Sequence, residues 1–250
     1  MSCASIDQPS SIRLCSSSVR RLRNERKEST LGDVSSSLII SHNVKDVDGI
    51  SVKDELTRHG FLGATPSSFQ HIPLKAHFEL HIEQGPILDI NSSPVGTVSG
   101  VQALRWFEIK LQGRGSHAGT TPMRYRMDPL AAFGKFAAAI EEIANEHGGL
   151  CTIGRINSDA PQSTNCILDN IVFHLDTRHH EDHKIDEMEK VLRAKLEEIV
   201  SSAQGVKVEK FERIANNAYV KFDPLAVSCV EQACSSYPKH SIVSGAGHDS

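Results

Sequence analysis

The stretch FEIKLQGRGSHAGTTPMRYRMDPLAAFGKFAAAIEEIANEHGG, residues 107–149, decides the fold. Its first six residues alternate, with Phe107, Ile109 and Leu111 apolar and Glu108, Lys110 and Gln112 polar. A period of two is the mark of a β-strand with one buried face. A Gly-rich loop follows from Gly113. Asp128 can then cap a helix with Pro129 in its first turn, and Leu130, Phe133, Ala137, Ile140 and Ala144 recur at helical spacing. Gly148-Gly149 ends that helix.

Working outward, strands are predicted around Cys151–Ile156 and Ile171–Asp176. A second amphipathic helix carries Ile185, Met188, Leu192, Leu196 and Ile199, and a last alternating segment holds Val206 and Val208. The order strand, helix, strand, strand, helix, strand is that of a split βαβ sandwich. It predicts a unit over 101–212 in which both helices cover one face of a four-stranded antiparallel sheet. Upstream, Ala76–Ile82 (AHFELHI) alternates Phe78, Leu80 and Ile82 with His77, Glu79 and His81, which predicts a strand ending at Gly85-Pro86. Ser51 can cap a short helix through Val52 and Leu56.

The first thirty residues are different, with Ser16–Ser18 and then Arg20, Arg21, Arg23 and Arg26 in a stretch without hydrophobic periodicity. Two readings fit: a transit peptide, or a disordered or foreign leader. A secretory signal is excluded for want of an apolar segment. Across the 250 residues, 39% are hydrophobic and the formal net charge is −4, too small to point to nucleic acid or an acidic membrane. No apolar run approaches the roughly 20 residues of a membrane span. The six cysteines form no CxxC pair, which suits reduced thiols in the cytoplasm.

Several residues could carry chemistry. His81 closes a strand two residues before Glu83, an HxE spacing that puts both side chains on one face. It is either a structural histidine or a metal ligand. His117 sits among Gly113, Gly115 and Gly119, and is either a loop histidine or a donor to a carbonyl oxygen that gains charge during hydrolysis. Arg178 lies two residues after Asp176. It is a fork for a substrate carboxylate or half of a surface ion pair. Asn165 precedes the same strand and could bind the same substrate. His248 is framed by small residues at the end of an apolar run. His179, His180 and His183 are expected to be solvated in a polar turn, and His147 suits a helix C-terminus.

Five segments together resemble the zinc amidohydrolases that include N-carbamoyl-L-amino-acid hydrolases, allantoate amidohydrolases and β-alanine synthases. They are HFELHIEQGPIL at 77–88, GRGSHAGTTPM at 113–123, STN at 163–165, LDTRH at 175–179 and SGAGHDS at 244–250. The likeness is nearest to the fungal β-alanine synthase type. It implies an α/β fold in which a metal-binding catalytic domain (46–100 and 213–250) is interrupted by the sheet-and-helix unit, acting as a lid that dimerises. His81 and His248 match metal ligands. His117 matches a lid histidine that reaches the partner subunit's site, Asn165 and Arg178 match substrate-holding residues, and Gln84 is their neighbour. The implied cofactor is a pair of zinc ions, with manganese an alternative. The implied substrate is a small carbamoyl compound such as 3-ureidopropionate, in a homodimer.

The pattern departs from the family in three respects. No HxD precedes His81 and no Glu-Glu pair lies in residues 1–75, so the other metal ligands and the general base are not found. Leu168 and Asp169 stand where the family has a proline. The expectation is an incomplete, truncated amidohydrolase, inactive alone and led by a leader over 1–45. The alternative is a non-catalytic dimerisation module of the same descent.

Overall fold

A computed structural model describes residues 14–16, 42–46, 48–64, 75–159 and 163–247. The chain forms two compact units, Arg20–His77 and a larger one made of Met1–Val19 with Phe78–Ser250. In the smaller unit, Asp46 Oδ1 accepts the N–H groups of Asp48 and Ile50 at 3.0 and 2.9 Å, and Gly49 takes φ 80° to close the turn. Helix α1 (Val52–Arg58) starts at Ser51, whose side chain and that of Asp54 form a reciprocal capping box.

The larger unit contains β1 (Leu14–Ser16), β2 (Leu80–Ile82), α2 (Ile87–Ile90), β3 (Val95–Val101), β4 (Ala103–Gln112), β5 (Ser116–His117) and a 3-10 turn (Met123–Tyr125). It continues with α3 (Pro129–His147), β6 (Leu150–Asn157), β7 (Cys166–Ile167), β8 (Asn170–His179) and α4 (Asp182–Ser202). After these come β9 (Lys207–Asn217), β10 (Val220–Lys221), α5 (Pro224–Ala233) and β11 (Lys239–Ser244).

The expected sandwich is present. Its four antiparallel strands lie in the order β6-β8-β4-β9. The ladder pairs Phe107 with Leu175, Ile109 with Phe173 and Leu111 with Ile171, so the apolar residues of β4 and β8 share one face. On that face sit Phe133, Phe136 and Ile140 of α3 and Leu192 and Leu196 of α4, all buried. Each such side chain contributes about 1.5–3 kcal/mol through removal from water. Edge-to-face contacts join Phe133 to Phe173 at 4.9 Å and Phe107 to Phe211 at 5.3 Å. Helix α3 is bounded as its sequence predicts: Asp128 accepts from the N–H groups of Leu130 and Ala131, and Gly148 closes the last turn at φ 69°.

A buried ion network joins α4 to the sheet. Glu189 accepts from Arg105 and Arg193 at 3.0 Å and from Arg213 at 2.5 Å. Arg105 also reaches Asp186, Asn216 and the Ile185 carbonyl.

The second sheet centres on β3, which runs parallel to β1 and β11 and antiparallel to β10, while β1 pairs antiparallel with β2. Its core is small, built on Val98 and Phe222. Three residues of the stretch read as a leader therefore form a strand, β1. The strand expected over 76–82 shortens to β2, and its apolar side faces out: Leu80 is 65% and Ile82 54% exposed, whereas His81 is half-buried. The alternation holds, but the side that carries Leu80 and Ile82 is the more exposed of the two.

Removing Glu189 takes one carboxylate partner from three arginines, of which the buried one, Arg105, keeps Asp186, Asn216 and the Ile185 carbonyl. Glu189→Ala is expected to cost about 1.5–3 kcal/mol in urea denaturation. Breaking the exposed Lys195–Glu198 pair with Glu198→Ala should leave the midpoint unchanged.

Candidate functional site

The predicted residues fall in two places on the larger unit. An open cleft of about 690 Å³ lies between the turn after β2, the start of β6, the end of β8 and the end of β11. Gln84 and Arg178 both line it, as do Gln102, Thr152, Asp176 and Ser244. His81 immediately precedes the lining residue Ile82. His248 lies outside the described residues.

The turn after β2 is shaped by Glu83 and Gln84. Both carboxylate oxygens of Glu83 accept backbone N–H groups of α2, from Ile87 at 2.7 Å and Leu88 at 2.8 Å. Gly85 permits this fold-back, since a Cβ there would lie 3.1 Å from Glu83 Oε1. The Glu83 carboxylate thus caps the start of α2. Gln84 occupies the left-handed region at φ 55°, a strained conformation for a residue with a side chain, in the cleft wall. His81 Nδ1 lies 2.5 Å from its neighbour's carbonyl, Ile82 O. A carbonyl can only accept, so Nδ1 carries the proton and the ring lone pair is on Nε2.

Arg178 is half-buried and shaped by its strand neighbour. Its Nε and Nη2 engage the Asp176 carboxylate at 2.9 and 2.5 Å, and Nη1 donates to Gly245 O. Asp176 raises the guanidinium pKa further above its ordinary value. Three of the five N–H groups are so engaged, which leaves two for a ligand in the cleft. The pair is therefore part of the cleft wall. Burial pushes the thiol of Cys151, on β6 between Leu150 and Thr152, up to about 12, helped by Asp176.

The second place is the loop carrying His117. Strand β5 pairs with β7, setting His117 opposite Cys166, and Ala118 N–H donates to Asn165 O at 2.7 Å. His117 and Asn165 are thus neighbours, both exposed. Nδ1 of His117 accepts from the N–H groups of Gly119 at 3.1 Å and Thr120 at 3.2 Å. Asp169, at the departure from the family pattern, straps this loop: its carbonyl accepts from Gly113 at 2.7 Å and its carboxylate from Gly115 N–H.

The two places do not meet within one chain. The His117 loop lies at the Asn170 end of β8 and the cleft at its Arg178 end. Eight residues of strand separate these by about 26 Å.

Among the described residues, one His/Glu group has ligand atoms close enough to hold a metal: His179, His180 and Glu181. The expectation that His179 is solvated fails, because it is 3% exposed. As the last residue of β8 it is packed under the two helix ends. Its Nδ1 accepts from Glu181 N–H at 2.9 Å and its Nε2 donates to His147 O at 3.1 Å, so no lone pair is left for an ion. His147, half-buried, bonds back to Ile143 O at 2.9 Å.

Asp169, Gln102 and Thr152 were not foreseen. Asp169 breaks the family pattern, so resemblance gave it no role, and the other two acquire theirs only when β6 and β11 converge.

No model of a known protein family matches the chain. Individual proteins do. An N-carbamoyl-L-amino-acid amidohydrolase of Rhizobium meliloti is 34% identical over 209 residues, covering 82% of this chain and 49% of that protein. An allantoate amidohydrolase of Bacillus subtilis is 28% identical over 216 residues, covering 82% and 50%. The crystal structure of a hydantoinase/carbamoylase family amidase from Burkholderia multivorans superposes with a TM-score of 0.72 at 35% identity, covering 84% of this chain and 51% of that one. The chain spans about half the length of the curated relatives it matches. Its homologues are N-carbamoyl-L-amino-acid and allantoate amidohydrolases, and its structural neighbours are hydantoinase/carbamoylase family amidases, as the five motifs indicated.

Burial, reinforced by the neighbouring His180, holds the His179 pKa below its ordinary value. The unfolded chain then binds the extra proton, so this histidine's contribution to stability is full above about pH 6.5 and is lost as pH falls toward the folded-state value. His179→Gln should flatten the fall in urea midpoint over that interval.

Proposed function

We propose that the chain belongs to a metal-dependent hydrolase of linear carbamoyl amides, with substrates of the 3-ureidopropionate or N-carbamoyl amino acid type. The observation that carries this reading is the cleft in which Arg178, oriented by Asp176, faces Gln84 beside the His81 strand. Arg178 would take the substrate carboxylate with its remaining N–H groups, Gln84 and Asn165 would bind the polar groups of the carbamoyl chain, and His117 would donate to its carbonyl oxygen.

Metal fits this donor set in part. The Ile82 carbonyl fixes His81 with its lone pair on Nε2, the arrangement in which a second hydrogen bond orients a ligating imidazole. His81 and His248 would hold the ion, zinc or manganese, which supplies Lewis acidity and activated water. Two histidines fall short of the three protein ligands usual at a catalytic zinc. The chain alone should therefore bind metal weakly and turn over little. That shortfall also favours the second reading, a non-catalytic module that keeps the lid.

The separation of His117 from the cleft supports a homodimer in which each loop serves the partner's cleft. Residues 101–212 would be the dimerising lid between catalytic segments 46–100 and 213–250, following the leader. Strand β6 is the natural seam: among the described residues it is an edge of its sheet, Arg155 is its sole charged residue, and Leu150 and Ile156 are 58% and 55% exposed. No described helix is long and apolar enough to cross a membrane. Cysteines 151, 166 and 229, free thiols among the described residues, suit a reducing cytoplasm.

Ammonia release from 3-ureidopropionate, N-carbamoyl amino acids and allantoate, with zinc added, tests the reading. Any turnover should vanish in His81→Ala, and KM should rise about 10- to 100-fold in Arg178→Lys, which loses the bidentate fork. Silence on every substrate, even with metal saturating, would leave the non-catalytic reading. Turnover indifferent to both substitutions would sink the site.

A further inference from the structure

The loop around His117 is held from both ends. At its start, Asp169 accepts from Gly115 N–H through its carboxylate and from Gly113 N–H through its carbonyl. Gly115 admits this because it has no side chain: a Cβ there would lie 3.0 Å from Asp169 Oδ1. At its end, half-buried Arg126 donates from Nη2 to Ala118 O at 2.6 Å and from Nε to Thr121 O at 3.0 Å. One planar guanidinium thus fixes the two carbonyls that flank Gly119 and Thr120. The amides of those two residues point at His117 Nδ1, and Gly119 comes close because a Cβ there would lie 3.3 Å from Cε1 of the ring.

We propose that Arg126 and Asp169 are positioning residues that lock His117 in the Nε2–H form by aiming the Gly119 and Thr120 amides at its Nδ1. Two N–H donors on Nδ1 exclude a proton there, so the neutral ring carries its proton on Nε2, the nitrogen turned away from the loop. The ring then presents a fixed donor to an oxygen approaching from outside. Without the clamp both tautomers would be populated, and part of the protein would offer a lone pair to that oxygen. This rests on the reading of His117 as a carbonyl donor, but the tautomer is a property of the resting protein and is measured without turnover.

The test is two-bond nitrogen-15 correlation spectroscopy of the full chain, labelled at histidine, above the imidazole pKa. The His117 peaks are identified by their loss in His117→Gln. Wild type should show a single Nε2–H pattern, retained in Asp169→Asn, which keeps the acceptor oxygen. Arg126→Met and Asp169→Ala should each replace it with an exchange-averaged pattern while the other histidines are unmoved. Should Arg126→Met fail to fold, Gly119→Ala displaces the ring without touching either clamp and should give the same averaging. An averaged or Nδ1–H pattern in wild type would overturn the proposal. A single Nε2–H pattern persisting in Arg126→Met or Asp169→Ala would overturn the role of that residue. If the tautomer is locked as described yet His117→Gln leaves hydrolysis unchanged, the functional reading fails and the clamp stands.

Discussion

The packing of Phe107, Ile109, Leu111, Ile171, Phe173 and Leu175 against α3 and α4 is the constraint on which the candidate residues depend. It makes β4 and β8 a stiff, registered pair. The two ends of β8 then hold different chemistry at a fixed separation: the His117–Asn165 loop at one end and the Asp176–Arg178 cleft wall at the other. Because a packed sheet does not bend on itself, one copy cannot bring both to the same small substrate. The core of the sandwich thereby turns a question of local chemistry into one of assembly.

Much of this was legible in the sequence where one physical signal dominated. The sandwich followed from periodicity, and α3 from Asp128, Pro129 and Gly148, because these patterns depend on residues near in sequence. The motifs around His117 and Arg178 identified the relatives for the same reason. What was not legible depends on long-range packing. The side of β2 that faces inward is set by what covers it, and alternation alone cannot say which side that is. His179 looks like one of three polar histidines until the last residue of β8 is seen beneath the ends of α3 and α4.

Glu83 and Asp169 show a subtler limit. In each case the residue type was noticed, but its role is a backbone contact that spacing does not encode: Glu83 reaches the N–H groups of α2 and Asp169 reaches Gly115 across 54 positions. Short polar side chains that serve the backbone leave no periodic trace. Both contacts stiffen turns that carry candidate residues, so scaffold and site are not separate parts of this molecule.

The central claim, that the His117 loop of one copy serves the cleft of another, is tested most directly by crosslinking between distinguishable copies. A photoactivatable benzophenone amino acid would replace exposed Met123, beside that loop, in unlabelled protein mixed with nitrogen-15-labelled wild type. The account predicts crosslinked peptides that join the light Met123 segment to heavy segments 82–87, 150–152 or 242–246. Crosslinks confined within single chains, or landing on heavy segments far from the cleft, would contradict it.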